Sequence, residues 1–530
     1  MPTHPGAIVE SPVPPIEIPS TSIQRYIRER ARRRPDKIAI VDAPSGRKLL
    51  YGELDRQISR FAAGLAARGF EPGDRLLMFA PNVPEWPVAA LGALAAGGIV
   101  SGANPAGTTA DVAHQIRATN AKFVFTVAPL RAALGEAAAQ ARDVKVIVLG
   151  DPGDDIGYAS LLACTDREPQ VREDPDALAA LPCSSGTTGQ QKCVMLTHRA
   201  IVSNVMQYNA AVRQPGVAER MVALALLPMF HIFGFTVIML CGLAEGITMV
   251  TLPRFEPESF LKALQQHRVT HLAVVPPLLH FLTLHPMVAG FDLSSLEQIG
   301  CGAAPLGAGL EEKAAGRLHC QVAQGFGMTE ASGVVSATYP GKGRIGSSGQ
   351  LMPNTQARVI DPVTRADVEI GETGEIWFRG PQAFKGYLDD PQATAATIGP
   401  DGWVRTGDLG HVDADGYLYV TDRLKELIKV KGYQVAPAEL EALLYTHPQV
   451  ADAAVIGRAD DRAGEIPVAY VVARGALDRE ALKGWVAQRV ADYKQLGDVV
   501  VCDAIPKTPS GKILRRVLRA HDAEGKWRLS

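Results

Sequence analysis

None of the seven cysteines, at 164, 183, 193, 241, 301, 320 and 502, stands in a C-x-x-C pair or at zinc-ligand spacing. Their number is odd and they are mostly scattered, the usage of a reduced, cytoplasmic protein. Charge of one sign is missing too. The 54 Lys+Arg against 56 Asp+Glu leave a formal net charge of −2, so no long-range field argues for nucleic acid. The first twenty residues hold six prolines and no apolar core like that of a signal peptide, and they are expected to form an extended arm. No kinase signature and no G-x-S-x-G occurs, which disfavours a phosphotransferase and a serine hydrolase. No repeat of fixed period is evident. One stretch needs weighing as a membrane span. Met221 to Leu243 carries a single side chain of the Asp/Glu/His/Lys/Arg set, His231, but also holds Pro228, Gly234 and Gly242. It reads as a buried strand over Val222–Leu227, a loop and a buried helix, not as a span.

What is present is a chain long enough, at 530 residues, for two or more domains, with the 47% hydrophobic content of a globular enzyme. Ile23, Tyr26 and Ile27 mark one face of a first helix behind a Thr21/Ser22 cap, and Arg28, Arg30, Arg32, Arg33 and Arg34 read as its solvated side. Leu54, Ile58, Phe61 and Leu65 stripe the next helix. Strands at Ile38–Val41, Arg75–Phe79 and near 122–126, 145–149, 222–227, 247–251, 271–275 and 297–300 alternate with helical segments. Such alternation predicts parallel sheets covered by helices. From about 346 short strands (Ala357–Ile360, Gly374–Phe378, Tyr417–Val420) alternate with Gly/Pro turns, a small β-rich subdomain. After Asp422 the texture changes again. Pro437 opens a helix, strands near 451–456 and 467–473 follow, then a helix at 478–491 and a basic tail. The expected units are 1–422, with the β-rich part at about 346–422, and 423–530.

The densest cluster of unusual residues is Ser184-Ser185-Gly186-Thr187-Thr188-Gly189-Gln190-Gln191-Lys192-Cys193. Glycines let backbone N–H groups approach an anion, hydroxyls add donors and Lys192 adds a point charge. That is a phosphate cradle in composition, although it is also the composition of a polar turn between two strands. It is not the Walker pattern, because Gln191 stands where the second glycine belongs. Further on come Pro228-Met229-Phe230-His231-Ile232-Phe233-Gly234, then Gly302-Ala303-Ala304-Pro305-Leu306, then Gln324-Gly325-Phe326-Gly327-Met328-Thr329-Glu330. Next are Arg405-Thr406-Gly407-Asp408, Asp422-Arg423-Leu424-Lys425-Glu426, Lys429-Val430-Lys431-Gly432-Tyr433-Gln434, and last Pro506-Lys507-Thr508-Pro509-Ser510-Gly511-Lys512.

These motifs, in this order, resemble those of the adenylate-forming superfamily, and within it the 4-coumarate-CoA ligase-like acyl-CoA synthetases. Two positions depart from the family's phosphate loop: Gln191 replaces a proline and Cys193 a glycine. The resemblance implies an α/β fold. A large N-terminal domain of parallel αβ-layered sheets with a small β-barrel-like subdomain would precede a small, mobile α+β C-terminal domain. It also implies a reaction. A carboxylate attacks the α-phosphate of ATP to give an acyl-adenylate and pyrophosphate, and the acyl group then passes to the thiol of coenzyme A.

The implied roles follow residue by residue. Ser184, Ser185, Gly186, Thr187, Thr188, Gly189 and Lys192 would hold phosphates. Gln324, Gly325, Phe326 and Gly327 would border the adenine, with Phe326 stacking on it. Thr329 would contact the α-phosphate, and Asp408 and Arg423 the ribose. Glu330 would hold Mg²⁺, an ion that binds few carboxylates and keeps several waters. Lys512 would bridge carboxylate and α-phosphate in the first step. Lys429 and Gln434 would serve catalysis, Lys431 and Gly432 the coenzyme A path, and Lys425 the hinge. His231 would gate an acyl pocket lined by Phe233, Val237, Gly302, Ala303, Gly327, Gly333 and Val334. Phe233 lacks the hydroxyl that a tyrosine gives at this position in plant hydroxycinnamate ligases, so an apolar acid is expected: a medium-chain fatty acid or a cinnamate-type acid. Two alternatives stand beside this. One is an acyl-adenylate ligase that loads the phosphopantetheine of a carrier protein. The other is a non-catalytic adenylate-binding protein, motivated by Gln191 and Cys193.

Overall fold

The computed structural model describes residues 8–139, 144–185, 191–212, 217–508 and 511–525. Two nine-stranded sheets form its larger part. In the first, strands Ile99–Gly102, Arg75–Phe79, Phe123–Val127 and Lys145–Leu149 run parallel. In the second, Ile38–Asp42, Thr248–Thr251, Val222–Ala225, His271–Val274, Gln298–Cys301 and Gln321–Met328 run parallel. Helices Ile23–Ala31, Tyr51–Ala66, Glu85–Ala95 and His198–Val212 join them in one large core. Glu85–Ala95 is buried on every side, which explains why its sequence shows no polar face. The stretch Met221–Leu243 is buried as expected. It continues from strand Val222–Ala225 through a loop into a π-helix, Phe233–Leu240, and a short α-helix, Cys241–Glu245. Among the described residues no helix is long and apolar enough to cross a membrane.

A third sheet is antiparallel: Val9–Glu10, Gln356–Ile360, Gly374–Arg379, Val404–Val412 and Leu418–Arg423. The proline-rich arm is thus tied down, with Val9 opposite Ala357 and the backbone N–H of Ile16 donating to Asn354. A fourth sheet is built on the hairpin Val450–Asp460/Gly464–Ala473, with helices Pro437–Leu444, Arg479–Ala487 and Arg515–Ala523. It has apolar clusters of its own, centred on Val455, Ala469 and Val471 and on Ile456 and Tyr470.

Three local expectations are corrected. Ser22 does not cap the first helix; its hydroxyl donates to Glu173 instead. Arg28 is not on a solvated face. It is buried, held by Asp55 and Glu168, and donates to Ser59, the satisfied state a buried guanidinium requires. The cysteines are not all free: Cys183 and Cys193 form a disulfide. The antiparallel register of Cys183–Ser185 with Gln191–Thr197 sets them directly opposite each other. Cys193 is in regular strand and is not among the residues with positive φ, so a side chain there brings no backbone strain.

Candidate active site

Lys192 lies on a strand that pairs antiparallel with the one carrying Ser184 and Ser185. The two strands are Gln191–Thr197 and Cys183–Ser185, and Ser184 lies opposite Lys192. Gly186, Thr187, Thr188 and Gly189 lie outside the described residues, as do the side chains of Ser184 and Ser185. Lys192 borders a cavity of about 1620 Å³. Its Nζ lies 3.7 Å from the Asp390 carboxylate and 5.1 Å from the centre of the Tyr387 ring.

The other walls come from the ends of the second sheet's parallel strands, where ligand crevices of open α/β sheets occur. Gln321–Met328 runs parallel to Gln298–Cys301 and then pairs antiparallel with Gly333–Ala337. The turn between the two carries Thr329 and Glu330. A Cβ on Gly327 would lie 1.9 Å from the Gly333 carbonyl oxygen, so only glycine fits this fold-back. Asn204 fixes its far side, donating to the Val334 carbonyl and accepting from the Val334 N–H. The Gln324 amide donates to buried Glu311 at 2.6 Å. Glu330 is buried and accepts a 2.7 Å hydrogen bond from the Tyr387 hydroxyl. Burial and the Glu330 charge push the Tyr387 hydroxyl upward, so it stays a donor.

The loop before the π-helix is folded tightly on itself. Asn82 donates to the Ala225 and Leu227 carbonyls and accepts from the Met229 N–H. A Cβ on Gly234 would meet the Pro228 oxygen at 2.1 Å. His231 and Phe233 are thereby turned into the cavity. The Phe233 N–H donates to His231 Nδ1 at 3.3 Å, so the ring proton resides on Nε2. Burial and the Lys512 charge push His231 down to about 3, and the ring is neutral at ordinary pH. The Phe233 ring lies against Gly302, where a Cβ would stand 3.1 Å from it. Val237, Ala303, Gly333 and Val334 also line the cavity.

Asp408 and Arg423 face each other across the third sheet, with Arg423 Nε donating to Asp408 at 3.1 Å. Burial raises Asp408, opposed by Arg423 and Lys512. Lys512 arrives from the fourth-sheet module, next to Ile513, which bridges to Lys507. A Cβ on Gly511 beside Lys512 would stand 2.9 Å from the Val275 side chain. The Lys512 ammonium feels Arg423, Asp408 and Glu330, and burial with Arg423 lowers it to about 8. So Lys192, His231, Phe326, Thr329, Glu330, Asp408, Arg423, Lys425 and Lys512 share one cavity. Lys429, Lys431, Gly432 and Gln434 do not: they sit exposed on the hairpin Ile428–Val430/Tyr433–Val435 and line no part of it.

Tyr387 and Asp390 were missed in the sequence, since neither belongs to a motif with chemical content of its own. Their signal is the pairing of Gly386–Tyr387 with Val194 and Met195, which only the sheet reveals. The donor set suits a nucleotide triphosphate with a divalent ion. Glu330, a buried carboxylate, and the Lys192 ammonium border the same cavity, and no cluster of three or more metal-ligating side chains occurs among the described residues. That is the pattern of Mg²⁺ held largely by substrate phosphates and water.

Comparison with known proteins agrees with this. The AMP-binding enzyme family matches residues 27–388, and the AMP-binding enzyme C-terminal domain matches residues 439–512. The chain is 39% identical to 4-coumarate–CoA ligase 2 of Petroselinum crispum over 98% of this chain and 97% of that protein. It is 38% identical to 4-coumarate–CoA ligase of Pinus taeda over 97% of each. Among solved structures it is similar to ATP-bound MatB from Rhodopseudomonas palustris, with a TM-score of 0.85, 29% identity and coverage of 94% of this chain and 98% of that one. The chain belongs to the AMP-binding, adenylate-forming enzymes, on the branch of acyl-CoA synthetases that resemble the 4-coumarate–CoA ligases.

Proposed function

We propose that the chain is an AMP-forming acid–thiol ligase that activates an apolar carboxylic acid with ATP and transfers the acyl group to coenzyme A. The observation that carries the reading is the meeting of Lys512 with Asp408, Arg423 and Glu330 beside the His231–Phe233 pocket. In the first step a carboxylate oxygen attacks the α-phosphorus and the bond to pyrophosphate breaks. Two anions must approach, so cations and donors aimed at the reacting oxygens lower the barrier. Lys512 is the cation between carboxylate and α-phosphate, and Thr329 donates to the α-phosphate. Lys192 and the loop Ser184–Gly189 hold the β- and γ-phosphates. Mg²⁺, when bound at Glu330, neutralises phosphate charge. Asp408 accepts from the ribose hydroxyls, Arg423 steadies it, and Phe326 with Gln324, Gly325 and Gly327 borders the adenine. Neutral His231 donates through Nε2 at the mouth of the acyl pocket.

In the second step the thiol sulfur attacks the acyl carbon, the carbon–oxygen bond to AMP breaks and the thiol proton leaves to solvent. Lys512 and Gly432 cannot both stand over the same carbonyl. We therefore divide the chain into 1–422 and 423–530, turning about Lys425. In the second pose Lys429, Lys431, Gly432 and Gln434 face the site, with Gly432 leaving room for the pantetheine arm. The exposure of that hairpin, with φ +85° at Gly432, supports a surface held ready. The cytoplasm is the proposed compartment, supported by five free cysteines. It requires that the Cys183–Cys193 bond be reducible there. The test is a panel of carboxylic acids with ATP and Mg²⁺, with and without coenzyme A, reading pyrophosphate and thioester separately. Both products are expected. Pyrophosphate without thioester selects carrier-protein loading, and neither product with any acid selects an adenylate-binding protein.

A further inference from the structure

The second sheet has two unlike faces over the same strands. On one, Leu224, Leu272, Ile299 and Val322 pack into a core of large aliphatic side chains. On the other, register aligns Ala273, Gly300 and Ala323 in one row, and Ala223, His271 and Gln298 in the next. All six border the active-site cavity. Gln298–Cys301 is an inner strand with a neighbour on each side. Even so, Gly300 and Ala273 keep partial exposure, and a Cβ built on Gly300 meets no atom within 4 Å. An interior sheet face normally packs without voids, and space that opens onto a catalytic cavity is ligand space.

The geometry points to an arm of the acyl pocket that runs past Phe233 along this Gly/Ala face and takes an extended, unbranched aliphatic acid. Val237 and Ile238 of the π-helix, Tyr208, Met221 and Ile247 line the same cavity, and the starts of the strands, at His271 and Gln298, mark the arm's end. None of these is Asp, Glu, Lys or Arg, so the occupant is uncharged along its length. From Gly302 down to Gln298 is four residues of strand, about 13 Å at roughly 3.3 Å per residue. A zigzag alkyl chain of ordinary bond lengths advances about 1.25 Å per carbon, so the arm holds about ten carbons. Gly300 and Ala273 are the specificity-determining positions, because a larger side chain at either would project into the arm.

This rests on the ligase reading, and the test separates the two. The full chain is assayed with ATP, Mg²⁺ and coenzyme A on straight-chain acids from butanoate to dodecanoate and on cinnamate. kcat/KM is expected to rise with length to about decanoate. Gly300→Leu and Ala273→Leu are each expected to lower the decanoate/butanoate ratio of kcat/KM by about tenfold or more, the scale of a steric mismatch in an apolar pocket. Ala273→Val gives the same comparison if a leucine prevents folding. A wild-type optimum at butanoate or cinnamate, with decanoate no better, overturns the inference and leaves the ligase standing. So do variants that lower every acid alike. No product from any acid overturns the ligase reading itself.

Discussion

The lowered proton affinity of Lys512 has a consequence that can be measured. Burial and the Arg423 guanidinium bring the ammonium to about 8, against the pull of Asp408 and Glu330. The first half-reaction needs it charged. Its protonated share falls from about nine-tenths at pH 7 to about one-tenth at pH 9, given the usual titration law. Because burial disfavours the charged form, activity is present below pH 8 and lost as pH rises through it. kcat/KM reports the free enzyme, so that parameter is expected to fall about tenfold across this window. kcat is expected to fall at higher pH, since bound phosphates and carboxylate favour the cation. His231, held near 3, stays neutral throughout and contributes no slope. Lys512→Arg keeps a charge at every pH tested. It is expected to be slower at pH 7 yet flat from pH 7 to 9. The assay is initial-rate pyrophosphate release at limiting acid. An unchanged tenfold fall in Lys512→Arg would refute Lys512 as the titrating group.

Phe233→Tyr is expected to improve 4-coumarate relative to cinnamate, measured as the ratio of the two kcat/KM values, because a buried phenol without a partner costs about 1–3 kcal/mol. Opening the Cys183–Cys193 bond, which joins residues ten apart, is expected to lower stability by about 2–3 kcal/mol in the chain-entropy account. Dithiothreitol should therefore lower the melting temperature of the wild type but not of a Cys183→Ser/Cys193→Ser double variant. Gly327→Ala sets a methyl into the Gly333 carbonyl. It is expected to lose nearly all adenylation and several degrees of melting temperature, read by thioester yield and by thermal melting.

The parallel sheets were legible because strands buried on both faces read as apolar runs, as at Arg75–Phe79 and Phe123–Val127. Helix Tyr51–Ala66 was legible from its stripe, and Pro437 at a helix start from its fixed φ. What stayed hidden depends on partners distant in sequence. Arg28 looks like one more arginine in a basic run until Asp55 and Glu168 arrive to pair with it. Cys183 and Cys193 show no spacing motif; the antiparallel register of their strands makes them neighbours. The small residues Ala273, Gly300 and Ala323 mean little singly and become a surface only when three strands align. In the site, motif order pointed to His231, Asp408 and Lys512, but Tyr387 and Asp390 had no local mark. That Lys512 and not Gly432 faces the cavity is a matter of how the modules pack.

The central claim is that one module serves the two half-reactions in turn with different residues. The measurement is each half-reaction assayed alone, in Lys512→Ala and in Gly432→Leu. Lys512→Ala is predicted to slow adenylation from acid and ATP by roughly 10²–10³-fold, the scale for losing one transition-state donor, while thioester formation from supplied acyl-adenylate stays near the wild-type rate. Gly432→Leu is predicted to do the reverse. Equal slowing of both half-reactions by Lys512→Ala would contradict the account.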